Sequence, residues 1–318
     1  MDVLPARIPG RRRIAAALLL AAAPWARAMQ LSVENDGVVS SGDRHYTQGA
    51  RLASEPRRLF DRDLRAPAPW WLQWMAGQQL YTPDRPEQPV PDPADRPYAG
   101  WLYGGAALFH AGRAHYERAE LLLGLVGPGA GGELLQNGFH RAFGYPRAEG
   151  WDYQLRNTPT VVMTLDRGDR HLLARWQGLR LELVSQGGLT LGNLFADLHA
   201  GLLLRAGNLR ALGYGPDQLR GGYSGLPPLA GEREGSGHIA VWFGAQGRNV
   251  WRNLLLEGAG GDGPAVPHRP LVCDLMAGGA LSVGRGWLLS LNVLERSEEF
   301  RGQRGRDRLF GLAVYTAF

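Results

Sequence analysis

From about residue 29 to the end of the chain, apolar side chains recur at every second position. Ile239, Val241, Phe243 and Ala245 alternate with His238, Ala240, Trp242 and Gly244, and Trp287, Leu289, Leu291 and Val293 alternate with Leu288, Ser290 and Asn292. Leu121, Leu123 and Leu125 share one face, with Glu120, Leu122 and Gly124 opposite. Period two is the repeat of a strand, whose successive side chains point to opposite faces. Segments of roughly ten residues with one apolar and one small or polar face predict an all-β fold, an antiparallel transmembrane β-barrel. Twelve strands are expected, near 29–35, 47–55, 73–82, 98–110, 114–126, 158–167, 178–187, 196–207, 237–248, 270–283, 286–297 and 307–318. An even count puts both ends of the sheet on the periplasmic side. Trp70, Trp71 and Trp74 then fall near that interface, either as an aromatic girdle or as packing residues of a turn.

Helical spacing appears once, over 133–143. Leu135, Phe139 and Phe143 recur four apart, and Gln136 and His140, also four apart, share a neighbouring face. This predicts a short helix in the extracellular loop between the fifth and sixth strands. The Gly- and Pro-rich stretch from 210 to 236 reads as a long connection on the periplasmic side. Neither an internal repeat nor a domain linker interrupts the pattern, so 29–318 reads as one domain.

Residues 1–28 stand apart. Arg11, Arg12 and Arg13 precede a short apolar run, and Ala26-Arg27-Ala28 is a small-x-small cleavage site, so the segment reads as a secretory signal peptide. It holds five Arg against one acid, so removing it lowers the formal net charge from +5 to 5 − 4 = +1. The mature chain thus has no basic domain to suggest nucleic acid. The single cysteine, Cys273, allows no intrachain disulfide. No later run of 18 apolar residues exists, which leaves a soluble periplasmic protein or an outer-membrane barrel. The final strand, with Phe310, Leu312, Val314, Thr316 and Phe318 on one face, resembles the terminal signature of bacterial outer-membrane proteins.

Three polar clusters exceed what a barrel wall needs. They are Glu34-Asn35-Asp36 with Asp43 to Thr47; Tyr81 to Arg85 with Asp95 to Trp101; and Gln136, Asn137 and His140 with Trp151, Asp152 and Gln154. Strand parity brings all three to the extracellular rim. No Gly-x-Ser-x-Gly elbow exists for a serine mechanism. The remaining histidines show no ligand-like spacing.

The chain resembles the lipid A 3′-O-deacylases, the LpxR family of twelve-stranded outer-membrane barrels, across essentially the whole mature region. The motifs carrying the resemblance are Asn35-Asp36, Tyr46-Thr47-x-Gly49, Tyr81-Thr82-Pro83, Asp95 to Gly100, Gly127-Pro128, Gln136-Asn137-x-x-His140, Trp151 and Gly192-Asn193-Leu194. The resemblance implies a calcium-dependent esterase that removes the 3′-linked acyloxyacyl chain of lipid A in the outer leaflet. Its expected catalytic residues are His140, Asn35, Asp36, Thr47 and Gln136, with Asn35 and Asp36 also as calcium ligands. Asp36 is alternatively the group that orients His140. Where the family has a glutamate shortly after the histidine this chain has Pro146, so Glu149 or Asp152 is expected to take over as a metal ligand. Arg85 and Arg96 loosely echo the family's basic pair and are expected to meet the phosphates and sugar acids of lipopolysaccharide. The rival readings are a phospholipid esterase and a non-catalytic channel or adhesin.

Overall fold

A computed structural model describes residues 29–36, 43–59, 69–216, 218–219, 225–229, 237–260, 263–284 and 286–316. The expected leader and the terminal Phe318 lie outside them. The strands are β1 (Met29–Asn35), β2 (His45–Ser54), a three-residue β3 (Arg57–Leu59), β4 (Trp70–Thr82), β5 (Ala99–Ala111), β6 (His115–Val126), β7 (Thr158–Trp176), β8 (Leu179–Gly192), β9 (Phe195–Gly207), β10 (Ile239–Asn253), β11 (Leu271–Val283), β12 (Trp287–Arg296) and β13 (Asp307–Thr316). Sequential neighbours pair antiparallel, with β2 and β3 sharing one edge of β4. β1 pairs with β13 from Gln30↔Tyr315 to Asn35↔Phe310 and closes the sheet. The result is the expected barrel of twelve long strands. Among the described residues, helix is confined to α1 (Gly132–Phe143), α2 (Leu254–Glu257) and two single turns.

The alternation read from the sequence is the alternation between lipid and lumen. On β12, Trp287, Leu289, Leu291 and Val293 are exposed while Leu288, Ser290, Asn292 and Leu294 are buried. Trp70 and Trp74 point outward near one end, whereas Trp71 faces inward with the core. Inside, charges meet in pairs: Arg205 Nη1 donates to Glu182 at 2.8 Å, Arg296 Nε to Asp274 at 2.8 Å, and His199 bridges Asp166 and Asp197 at 2.8 and 2.9 Å.

Two elements depart from the pattern. β7 runs nine residues past its expected end, because the charged stretch Asp166 to Arg170 breaks the apolar rhythm without breaking the strand. Its hairpin turn has positive φ at Gln177 and Gly178, which matches the right-handed twist of the strands. The stretch after β9 is more than a connection. Its described residues fold back into the barrel, where Leu209, Leu212, Tyr214 and Leu226 are buried in the main core. Leu219 reaches far enough for its backbone N–H to bond Glu34 Oε1 at 2.9 Å and its carbonyl to accept from Gln79. Apolar side chains at the aqueous end of a barrel find dry cover only inside, so the described residues of this segment plug the lumen. A cavity of about 90 Å³ lined by Arg51, Arg118, His199 and Arg248 remains above it, room for a few waters.

Arg205 ties the plug down, donating to the carbonyls of Leu209 and Ala211 as well as to Glu182. Arg205→Ala would take the nearest arginine from the buried Glu182 carboxylate, leaving it Arg180 at 3.6 Å and Arg170 at 4.0 Å, and would release both carbonyls. The expected result is a loss of about 3 kcal/mol, read from the urea midpoint in lipid vesicles, together with new ion conductance in planar bilayers.

Candidate active site on the outer wall

In β4 the odd-numbered Trp71, Gln73, Met75, Gln79 and Tyr81 line the lumen, so Gln78, Leu80 and Thr82 belong to the outer face. Even so, Leu80 and Thr82 are fully buried. Thr82 lies against Thr47, while Leu80 is covered by the β6–β7 loop, which folds down over the outside of the wall. Leu80 packs with Tyr98, Ala148 and Trp151 in a separate small core, and Gln78 donates to the Ala130 carbonyl. Gly100, outward on β5, makes the approach possible: a Cβ there would come within 3.2 Å of the Gly132 backbone at the start of α1. A Cβ on Gly132 would in turn sit 2.6 Å from the Trp151 ring.

α1 lies on this wall with its polar face inward, burying Gln136, Asn137 and His140. It ends at Gly144, whose left-handed backbone (φ 76°) caps the last turn through the His140 carbonyl. Asn137 holds the chain that returns beneath the helix, donating to Ala148 O at 3.0 Å and accepting from Ala148 N at 2.9 Å. That grip places the Pro146 carbonyl on His140 Nδ1. A carbonyl only accepts, so Nδ1 carries a proton and Nε2 is the nitrogen left for proton exchange. Nε2 lies 2.9 Å from Asp43 Oδ2. The same oxygen accepts from Gln136 Nε2 at 2.7 Å, and Gln136 Oε1 accepts from Trp151 Nε1 at 2.8 Å. The Gln136 amide is therefore oriented without ambiguity, oxygen to the indole and nitrogen to the carboxylate.

The β1–β2 turn completes the site. A bulge between Tyr46 and Gln48 turns Tyr46 into the lumen against Tyr81 and Thr47 outward, where its hydroxyl meets that of Thr82 at 2.6 Å. The Thr47 carbonyl accepts from Asn35 Nδ2 at 3.1 Å and from Asp36 N at 3.3 Å, while Asp36 Oδ2 accepts the Arg44 N–H. The expected residues Asn35, Asp36 and Thr47 thus sit on the β1–β2 hairpin and Gln136 and His140 on α1, and the two meet through Asp43. Asp43, and not Asp36, is the carboxylate against His140. Sequence reading placed Asp43 in a polar cluster without a role, because no spacing links residues 97 apart.

The other expected residues are placed differently. Arg85 is exposed on the β4–β5 loop. Arg96 is fully buried, stacked 4.6 Å over the Tyr81 ring and 3.5 Å from Glu299, so it packs the rim from within. Glu149 and Asp152 flank Trp151 with exposed side chains. Among the described residues no group of three or more His, Cys, Asp or Glu is close enough to hold a metal. Oxygen donors of the kind calcium takes are present in Asn35, Asp36 and Asp43, too few for its six to eight ligands without backbone carbonyls, water and substrate.

His45 anchors the turn that carries Asp43. Its backbone is left-handed (φ 57°), its Nδ1 meets Asp307 at 2.8 Å and its Nε2 faces Asp95 at 3.5 Å. Burial pushes the Asp95 carboxyl up, but hydrogen bonds from His45 and the Asp84 N–H, the charge of His45 and the Arg96 N–H outweigh it and hold the group below the ordinary carboxylate value. A lowered folded value means this contribution is complete above the unfolded pKa and is lost as pH falls through the folded one. Pepsin nicking of the β1–β2 and β4–β5 loops should therefore rise steeply below about pH 4, and Asp95→Asn should show the same nicking at pH 5.

The sequence profile described as "Outer membrane protein LpxR" matches residues 14–318. Among solved structures, LpxR from Salmonella typhimurium aligns at a TM-score of 0.76 and 21% identity, covering 92% of this chain and 100% of that one. The β-domain of the Bordetella autotransporter BrkA aligns at 0.45 and 12%, covering 92% and 97%. The KdgM porin aligns at 0.40 and 5%, covering 92% and 99%. No curated protein matches the chain. With its fold and nearly its whole length accounted for in this way, the chain belongs to the LpxR family of outer membrane proteins.

Proposed function

We propose that this protein is a calcium-dependent carboxylic ester hydrolase that removes the 3′-linked acyloxyacyl chain of lipid A in the outer leaflet, with His140 as general base. The observation that carries the reading is the Asp43–His140 pair, held under α1 on the outer wall of the barrel. A lipid's ester reaches that position from the side, out of the leaflet, while water arrives from the rim. The plugged lumen speaks against a channel.

With Nδ1 committed to the Pro146 carbonyl, His140 Nε2 takes the proton of the attacking water once its contact with Asp43 Oδ2 opens to admit that water. Asp43 steadies the imidazolium that forms, and Gln136, locked by Trp151, fixes Asp43. Water must enter beside Asp43 Oδ2, so the base acts as a pair and not as an isolated imidazole. The Thr47 and Thr82 hydroxyls are buried against each other and would donate toward the ester oxygen or headgroup only once substrate uncovers them. Asn35, Asp36 and Asp43 would hold calcium, with the exposed Glu149 and Asp152 as further candidate donors. When bound, the ion would polarise the ester carbonyl and stabilise the developing oxyanion. Arg85 is free to meet phosphate from its exposed loop; for Arg96 to do so, its pairing with Glu299 would have to open.

Mass spectrometry of lipid A from cells expressing the wild type should show loss of an acyloxyacyl mass, abolished by chelating calcium. His140→Ala should lower turnover by a factor on the order of 10² to 10⁴, and Asp43→Asn by at least about tenfold, with the barrel still folded. Intact lipid A alongside released phospholipid acyl chains would move the assignment to a phospholipid esterase. Intact lipids of both kinds would sink the hydrolase reading.

A further inference from the structure

α1 is amphipathic in the reverse sense for a helix packed on a protein. Its polar residues Gln136, Asn137 and His140 are buried against the wall, while Leu134, Leu135, Phe139 and Phe143 are exposed, Leu134 by 80% and Phe143 by 66%. A surface helix of a soluble protein turns its apolar stripe to the core. Here the stripe is organised on the outside: the Phe139 and Phe143 rings lie 4.4 Å apart, and Tyr145 stacks on Phe139 at 6.2 Å with the rings nearly parallel. Charged groups bound it, with Arg141 exposed and Arg147 paired to Glu133 at 3.1 Å.

The patch continues a surface whose partner is known. α1 covers outward-facing Leu80 and Gly100, on the face that further along the strands carries the exposed Trp74 and Leu108. The turn leading into α1 rests on the upper end of the lipid-facing row Leu121, Leu123, Leu125, where a Cβ on Gly129 would meet Leu125 at 2.6 Å. An apolar helix face of this kind, rimmed by charge, is the form that lies in the interface with its apolar side among the acyl chains.

We propose that the Leu134, Leu135, Phe139 and Phe143 face of α1 is a lipid-docking surface, immersed in the acyl chains of the surrounding leaflet. Immersion holds the helix down on the wall and sets the depth at which His140 lies. The inference concerns where α1 sits and does not depend on the hydrolase reading.

The test is spin-label accessibility in vesicles of phosphatidylethanolamine and phosphatidylglycerol. Labels are placed through Leu135→Cys, Phe139→Cys, Arg141→Cys and, as a belt reference, Leu289→Cys, each on Cys273→Ser. At 135 and 139 collisions with oxygen should exceed those with a water-soluble nickel complex, as at 289, and the order should reverse at 141. Nickel accessibility at 135 and 139 equal to that at 141 would overturn the proposal. So would dipolar broadening at 139 that disappears on dilution with unlabelled protein, which would put a second copy on the face. No hydrolysis is read, so a chain inactive on every lipid can still give the lipid signature.

Discussion

Inside a bilayer no water is available to satisfy a backbone amide, so a sheet that crosses it must close on itself. The seven-residue β1 meets this demand by pairing with β13 on one side and β2 on the other. Its position also sets up the candidate site. Its last residue, Asn35, ends at the rim, so the turn that follows brings Asp36 and then Asp43 over the edge of the wall. Closure at this seam holds the site's first turn opposite β4, whose outer face supplies Leu80 and Thr82.

A polar cluster on the lipid-facing side of a wall has to be kept out of hydrocarbon. The β6–β7 loop meets that requirement by laying the polar side of α1 on the wall, so that His140, Gln136, Asn137 and Trp151 satisfy one another and the returning backbone. Gly100 and Gly132 set how closely helix and wall approach, because neither presents a side chain at the contact. The arrangement leaves the Asp43–His140 pair shielded between the helix and the wall.

The lumen, by contrast, is given over to structure. Its acids and bases pair across the interior, the described part of the β9–β10 segment fills it from one end, and Asp307, Asp95, Glu299 and their Arg and His partners cross-link the other. The rim network reaches the site through Arg44 and His45, which both meet Asp307 and so hold the end of the turn that bears Asp43.

Most of the barrel was legible because the period of two is imposed by lipid on one side and a polar lumen on the other, and it survives in any single strand. The strand count, the helix over 133–143 and the convergence of three loops at one rim followed from that period and from parity. His140, Gln136, Asn35, Asp36 and Thr47 stood out as polar residues that a wall does not need. Where charges on the outward face interrupted the apolar rhythm, as at Arg167 and Asp169, the reading stopped a strand short. What only the tertiary structure decided was every relation between segments far apart in sequence: that Asp43 is the partner of His140, that Arg96 packs inward, that the stretch after β9 turns into the lumen, and that α1 faces the wall with its polar side. Helical spacing defines two faces but not which one is buried. That choice belongs to the surroundings, and beside a membrane the environment that receives the apolar face is the lipid.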